Sequence, residues 1–181
     1  NTQKVVYFAA AVDLVNAVNV MVSLTNHASR MTSKIITQLE APELIRTHKT
    51  VFVSGSFDVL HLGHMKFLRR AKALVRDTGI LMVAVISDED IRSRKGEGRP
   101  VFTQGERVEA LSYLEQVDYV IPWEDEWQAL RLFVMQTKPA YLAVVAGDPG
   151  IENKRQFIES AGGELKILPR EGWYASSRLV G

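Results

Sequence analysis

His61 and His64 stand three residues apart with Gly63 between them, just after a short apolar run that ends at Gly55. Residues three apart on a helix share a face. Each imidazole can donate a hydrogen bond to an anionic oxygen. The first turn of a helix adds unpaired backbone N–H groups and a partial positive charge. Glycine at 63 takes away a side chain, so an anion can approach the backbone. These residues at this spacing are chemistry for holding phosphate. They are not a Walker loop, because GxxxxGK[ST] is absent. A zinc site lacks a third ligand, since the chain has no Cys and only His27 and His48 besides. Plain capping or surface histidines are the remaining alternative.

The surrounding pattern predicts the elements that place these residues. Thr50 to Ser54 is a short β-branched strand, and Leu62 to Asp77 a helix. On that helix Leu62, Met65, Leu68, Ala71 and Val75 share one face, with Lys66, Arg69, Arg70 and Lys72 mostly opposite. Ile80 to Ile86 is a continuous apolar run, as in a strand covered on both faces. Ser87 to Pro100 is polar and carries Arg92, Arg94, Lys95 and Arg99, either a mobile flap or a solvated loop. Thr103-Gln104-Gly105-Glu106 is a capping box that opens a helix to about Leu114. Asp118 to Pro122 and Ala140 to Ala146 read as strands, separated by a helix from Asp125 to Thr137. Glu152 to Ala161 reads as a helix closed by Gly162-Gly163, Glu164 to Leu168 as a fifth strand, and Ser176 as the cap of a last short helix.

This alternation predicts an α/β fold: a Rossmann-like parallel five-stranded sheet with helices on both faces, plus an N-terminal amphipathic helix. Ligands in such folds bind beyond the carboxyl ends of the strands. The 181 residues suffice for one domain, assigned to residues 32–181, with residues 1–31 as a helical extension. Lys4 to Leu24 is long enough to span a bilayer, but Asp13, Asn16, Asn19 and Ser23 put a polar stripe along it. A packing helix is the reading adopted. A signal or anchor segment, and Met31 as the natural start, are alternatives. A net charge of +1 gives no general pull toward nucleic acid or membrane. The absence of Cys fits a reducing compartment, so the cytoplasm is expected.

Gly55-Ser56-Phe57-Asp58 followed by His61-Leu62-Gly63-His64 resembles the signature of the HxGH nucleotidyltransferase, or cytidylyltransferase-like, superfamily. Arg99-Pro100-Val101 through Glu106-Arg107 to Val117-Asp118-Tyr119-Val120 resembles its middle block. Ala175-Ser176-Ser177-Arg178-Leu179 resembles its final Ser-Thr-Ser-x-Ile motif. Within the superfamily the chain most resembles the adenylyltransferase domain that makes ADP-heptose, on Lys95 to Val101, Gly147-Asp148 and Gly162-Gly163. Gly63-His64-Met65-Lys66-Phe67-Leu68 also fits glycerol-3-phosphate cytidylyltransferase. The chain departs from the heptose group where Val145-Ala146-Gly147-Asp148 replaces Lys-Gly-Gly-Asp, and in having Ser176 at the usual Thr position.

The resemblance implies transfer of NMP from an NTP, ATP favoured, to a sugar-phosphate or polyol-phosphate with release of pyrophosphate. A CTP-dependent glycerol-phosphate enzyme and a catalytically weak nucleotide-binding regulatory or assembly subunit are the alternatives. The implied catalytic residues are His61, His64 and Lys66. Ser54, Gly55, Ser56, Phe57, Gly63, Gly147, Asp148, Ala175, Ser176 and Ser177 are implied for the nucleotide, and Asp58, Lys95, Arg99 and Arg107 for the acceptor. Bland readings stand beside several of these. Lys66 is otherwise a solvated lysine, Asp58 a helix cap, and Asp148 a turn residue before Pro149. Arg107 is otherwise a partner of Glu106 or Glu109. Mg²⁺ is expected with the NTP and no metal site built by the protein. The expected partners are the NTP, a small phosphorylated substrate and a second copy of the chain, with no nucleic acid and no membrane.

Overall fold

The computed structural model describes residues 34–124 and 127–170. The expected N-terminal helix, Trp173, and the motif at Ala175, Ser176 and Ser177 lie outside the described residues.

Five strands form one parallel sheet in the order β3-β2-β1-β4-β5. They are β1 (Thr50–Gly55), β2 (Ile80–Ile86), β3 (Tyr119–Trp123), β4 (Tyr141–Val145) and β5 (Glu164–Leu168). The helices are α1 (Ala41–Thr47), α2 (Leu62–Ala73), α3 (Asp88–Lys95), α4 (Gln104–Ser112), α5 (Trp127–Thr137) and α6 (Ile151–Ser160). This is the doubly wound, Rossmann-like arrangement that the strand–helix alternation predicts.

The period-two geometry of a strand sends alternate side chains to opposite faces, and here both faces are buried. Phe52, Met82, Ala84, Ile121 and Leu142 pack under α1, α5 and α6, with Ile45, Leu130, Val134 and Phe157 facing them. Val51, Val53, Leu81, Val83 and Val85 point the other way, against Leu68, Ala71 and Val75 and against Val108 and Leu111 of α4. The open edge of β3 is covered by the segment before α1: Val120 N–H donates to Lys34 O at 2.7 Å and Ile36 N–H to Val120 O at 2.9 Å.

The strand order reverses beside β1. The chain builds β1, β2 and β3 outward, then returns to lay β4 on the other side of β1. The β1–β4 pairing covers Val51↔Tyr141 and Phe52↔Leu142, although both strands run on to Gly55 and Val145. Beyond Phe52 the two strands part. Crevices of this kind are where ligands bind in doubly wound sheets.

Three elements differ from the sequence reading. α2 ends at Ala73, and a 3₁₀ turn over Arg76–Thr78 completes the stretch expected to be helical. Its buried face is Leu68 and Ala71, while Leu62 and Met65 are 45% and 39% exposed. Lys72, expected on the solvent face, donates to Asp118 at 2.7 Å and to Gly79 O at 2.7 Å. Asp118 also accepts from Leu81 N–H at 2.6 Å, and so ties α2 to β2.

The polar stretch after β2 is the third difference, because it holds α3 rather than a flap. Ser87 caps that helix, acids fill its first turn and Arg92, Arg94 and Lys95 its last, matching the helix dipole at both ends. Its buried side is a single residue, Ile91, so no apolar periodicity announces it.

Gly79 and Gly105 should respond oppositely to alanine. A Cβ at Gly79 would lie 2.5 Å from Lys49 O and 2.4 Å from Val75 Cβ, contacts that require the backbone to move. Gly79→Ala is expected to cost about 1–3 kcal/mol. A Cβ at Gly105, within α4, meets nothing within 4 Å, so Gly105→Ala should be neutral or gain up to ~1 kcal/mol. Denaturant midpoints of the two variants test this.

Candidate active site

The site begins where β1 ends. His61 is the N-cap of α2, and its Nδ1 accepts a long 3.4 Å hydrogen bond from His64 N–H. A neutral imidazole that accepts at Nδ1 carries its proton on Nε2. The two rings stack with centroids 3.8 Å apart and planes 16° from parallel. Phe57 braces the pair from behind, with its ring centroid 5.2 Å from that of His64. Phe57 adopts φ 46, and its ring passes 3.0 Å from where a Cβ on Gly55 would sit. Glycine at 55 is therefore what lets the aromatic ring fold back over the strand end.

Burial pushes the His64 pKa down to about 4, and the neighbouring His61 adds to the effect. Burial also lowers the pKa of His61. Nδ1 of His64 is buried and has no hydrogen-bond partner among the described residues. A group left so costs about 1–3 kcal/mol.

The parting of β1 from β4 opens a cavity of about 790 Å³. One wall is Ser54 to Phe57 with His61, Gly63, His64 and Phe67 of α2. Lys95 and Arg99 come from the segment after β2. Ala143 to Val145, Asp148 and Pro149 close the opposite side, with Lys154 on α6 and Pro169 and Arg170 after β5. Among the described residues the fixed charges on this lining are Lys95, Arg99, Lys154 and Arg170 against Asp148. Such a wall attracts anions.

Lys95 donates to Ser56 Oγ at 3.1 Å. Burial lowers its pKa, the nearby arginines add to this, and Asp58 opposes it. Gly147 is not on the cavity lining. It makes the left-handed turn after β4 (φ 82), and a Cβ there would lie 3.9 Å from the Arg170 guanidinium. Arg170 itself donates to Ala146 O at 3.2 Å.

The structure brings most of the sequence-selected residues to this cavity, but not all. Asp58 is 1% exposed and faces the loop after α3. Its carboxylate accepts from Arg99 at 2.8 Å, Val101 N–H at 2.6 Å and Phe102 N–H at 3.4 Å. Burial opposes its ionisation, but those donors outweigh it and hold the carboxyl below the usual range.

Arg107 is likewise 1% exposed and off the cavity wall, and it pairs with neither Glu106 nor Glu109. It donates to the carbonyls of Ser56, of Ile86 at 2.9 Å and of Phe102 at 3.1 Å, and to Asp88 at 2.6 Å. Neither residue lines the cavity, and each ties together the loops beneath it. Lys66 is half-buried on α2 and is not part of the cavity lining.

Sequence reasoning passed over Phe67, Lys154 and Arg170. The rule that ligands gather at strand ends pointed to Arg170, which lies two residues past β5. Lys154 carries no such signal. It reaches the cavity because Asp148, six residues earlier, binds its ammonium at 2.7 Å.

The profile described as Cytidylyltransferase-like matches residues 52–165, which spans β1 into β5 and therefore the whole described cavity apart from the residues after β5. The chain belongs to the cytidylyltransferase-like family. Relatives in that family include the bifunctional protein HldE of Citrifermentans bemidjiense, 34% identical over 142 residues. That match covers 77% of this chain and 28% of the relative. HldE of Geobacter metallireducens is 39% identical over 129 residues, covering 70% of this chain and 25% of the relative. The chain thus spans about a quarter of the length of these relatives. The crystal structure of the lipopolysaccharide core biosynthesis protein from Thermoplasma volcanium superposes with a TM-score of 0.56 at 26% identity. It covers 70% of this chain and 99% of that one. Family and relatives mark the cytidylyltransferase-like segment as a nucleotidyltransferase domain.

Two expectations follow. In the unfolded chain His64 titrates near 6.5, and in the fold near 4. Between those values the unfolded chain binds a proton that the native state excludes, so stability falls as pH drops through the window. The loss should reach up to about 3 kcal/mol. His64→Asn should flatten this slope in denaturation series between pH 7 and 4; an unchanged slope would assign the acid sensitivity elsewhere. Arg107→Met strips the Ser56, Ile86 and Phe102 carbonyls and Asp88 of their shared donor, and should cost roughly 3–5 kcal/mol by the same measurement.

Proposed function

We propose that the chain transfers a nucleoside monophosphate from an NTP, with ATP favoured, to a small sugar-phosphate or polyol-phosphate. The observation that supports this best is the stacked His61–His64 pair at the start of α2, facing a cavity whose fixed charge is mostly positive. In this reading an acceptor phosphate oxygen attacks the α-phosphorus in line. One P–O bond forms, the α–β bridging bond breaks, and pyrophosphate carries away the electron pair. No protein nucleophile is required. Catalysis is positioning and stabilisation of charge on the phosphoryl oxygens.

In this reading the Nε2–H of His61 and the N–H groups of Leu62 and Gly63 hold phosphate oxygens, and Gly63 keeps that approach open. His64, neutral at working pH because burial lowers its pKa, donates a ring N–H to phosphoryl oxygens where negative charge builds. Ser54 to Phe57 and the Gly147-Asp148 turn border the nucleotide, and Lys95 and Arg99 face the acceptor. Ala175, Ser176 and Ser177 are assigned to the distal phosphates on the sequence motif alone, as is Lys66 to a phosphate contact.

Mg²⁺ arrives bound to the NTP as part of the substrate. Among the described residues no cluster of three or more His, Asp or Glu would hold a metal ion. The one carboxylate that the described residues place on the wall, Asp148, is engaged by Lys154 at 2.7 Å and by Gly150 N–H at 2.7 Å.

Pyrophosphate release, measured with each of the four NTPs against a panel of sugar- and polyol-phosphates, tests the proposal. The expected result is turnover for at least one pair, with ATP the best donor. CTP turnover with glycerol 3-phosphate would instead identify the cytidylyl-transfer variant of the same chemistry. His64→Ala should lower kcat by roughly 10²–10³. Nucleotide binding without pyrophosphate release for any pair would overturn the enzyme reading.

A further inference from the structure

A second, smaller void of about 190 Å³ adjoins the large cavity along Ser54-Gly55-Ser56. Neither histidine borders it. Its own wall is Ile86 at the end of β2 with Ile91 and Arg94 of α3. Lys95, Lys154 and Asp148 border both voids, so they stand where the two meet.

Lys154 is built into that position. It rises from the first turns of α6 and its side chain is 13% exposed. Asp148 fixes the ammonium at 2.7 Å, and the other Asp148 oxygen is fixed in turn by Gly150 N–H at 2.7 Å. A cation held this way loses little freedom when it meets an anion. Lys95, more exposed, donates a single hydrogen bond to Ser56 Oγ at 3.1 Å.

In-line attack requires the acceptor phosphate to lie on the side of the α-phosphorus away from the departing pyrophosphate. In this reading the triphosphate lies at the histidines, and the acceptor takes the place where the two voids meet. We infer that Lys154, together with Lys95, binds the phosphoryl group of the acceptor, a phosphomonoester whose carbon portion occupies the smaller void. The serine hydroxyls that this void shares with the large cavity suit the hydroxyls of a polyol or sugar, and Ile86 and Ile91 its carbon face. The assignment rests on the nucleotidyl-transfer reading of the site.

Calorimetric titration of the whole chain with glycerol 3-phosphate, ribose 5-phosphate and a heptose phosphate, and separately with Mg–ATP and Mg–CTP, tests it. Lys154→Gln should weaken the bound phosphomonoester roughly 10–100-fold, the loss of one hydrogen bond to a charged group. Nucleotide affinity should stay within about twofold. Lys154→Arg keeps the charge and should retain most of the acceptor affinity, which separates loss of the contact from misfolding. Thermal midpoints of both variants guard the comparison. In turnover the acceptor KM should rise in Lys154→Gln while kcat at saturation is largely kept.

Equal phosphomonoester affinity in wild type and Lys154→Gln would overturn the assignment. So would an equal loss for nucleotide, or a wild type that binds none of the panel. A wild type that binds a phosphomonoester through Lys154 yet releases no pyrophosphate would sink the enzymatic reading and leave this binding site standing.

Discussion

One buried guanidinium holds the working end of the sheet together. Arg107 reaches out of α4 and gathers the Ser56, Ile86 and Phe102 carbonyls and the carboxylate of Asp88. Those acceptors belong to the turn after β1, the end of β2, the loop before α4 and the first turn of α3. Loops seldom have enough apolar contact to fix themselves. Here their carbonyls converge on a group with five donors in a rigid plane, and no other side chain offers that. Asp58 performs the complementary task with its carboxylate, gathering N–H groups of Val101 and Phe102 and the Arg99 side chain. Between them, one cation and one anion set the separation of the β1 turn from the arm that carries Lys95 and Arg99.

The histidine pair depends on this rigidity. Two imidazoles stacked at 3.8 Å cannot both be charged at small cost, and burial already disfavours charge on either. The resting site is therefore neutral where its chemistry is aimed and positive around the rim. An arriving phosphate reverses the local balance. It supplies the negative charge that makes protonation favourable. The proton affinity of the pair is thus set by the ligand rather than by the protein alone.

Much of this was legible from the residue pattern. The continuous apolar run Ile80 to Ile86 declared a strand buried on both faces, and the capping box at Thr103 marked the start of α4. The spacing of His61, Gly63 and His64 put both rings on one face at the start of a helix, where they stack. α3 was hidden because only Ile91 is buried, so it has no stripe for a pattern to find. The roles of Asp58 and Arg107 were hidden for a different reason. A charged residue in a motif reads as a ligand contact from sequence, and only tertiary packing reveals that its partners are backbone groups. Lys154 is the converse. Its place on the wall follows from one ion pair across a turn, and no local preference encodes that.

The short β1–β4 ladder has a mechanical consequence. Backbone pairing between these strands ends at Phe52 and Leu142, so the upper part of the sheet is a seam. His61, His64, Lys95 and Arg99 stand on one bank, and Asp148, Lys154 and Arg170 on the other. An anion lying across the seam supplies the cross-links that the strands themselves lack there. Occupancy of the cavity and the tensile strength of the sheet are then a single quantity, and a full site is a stitched one.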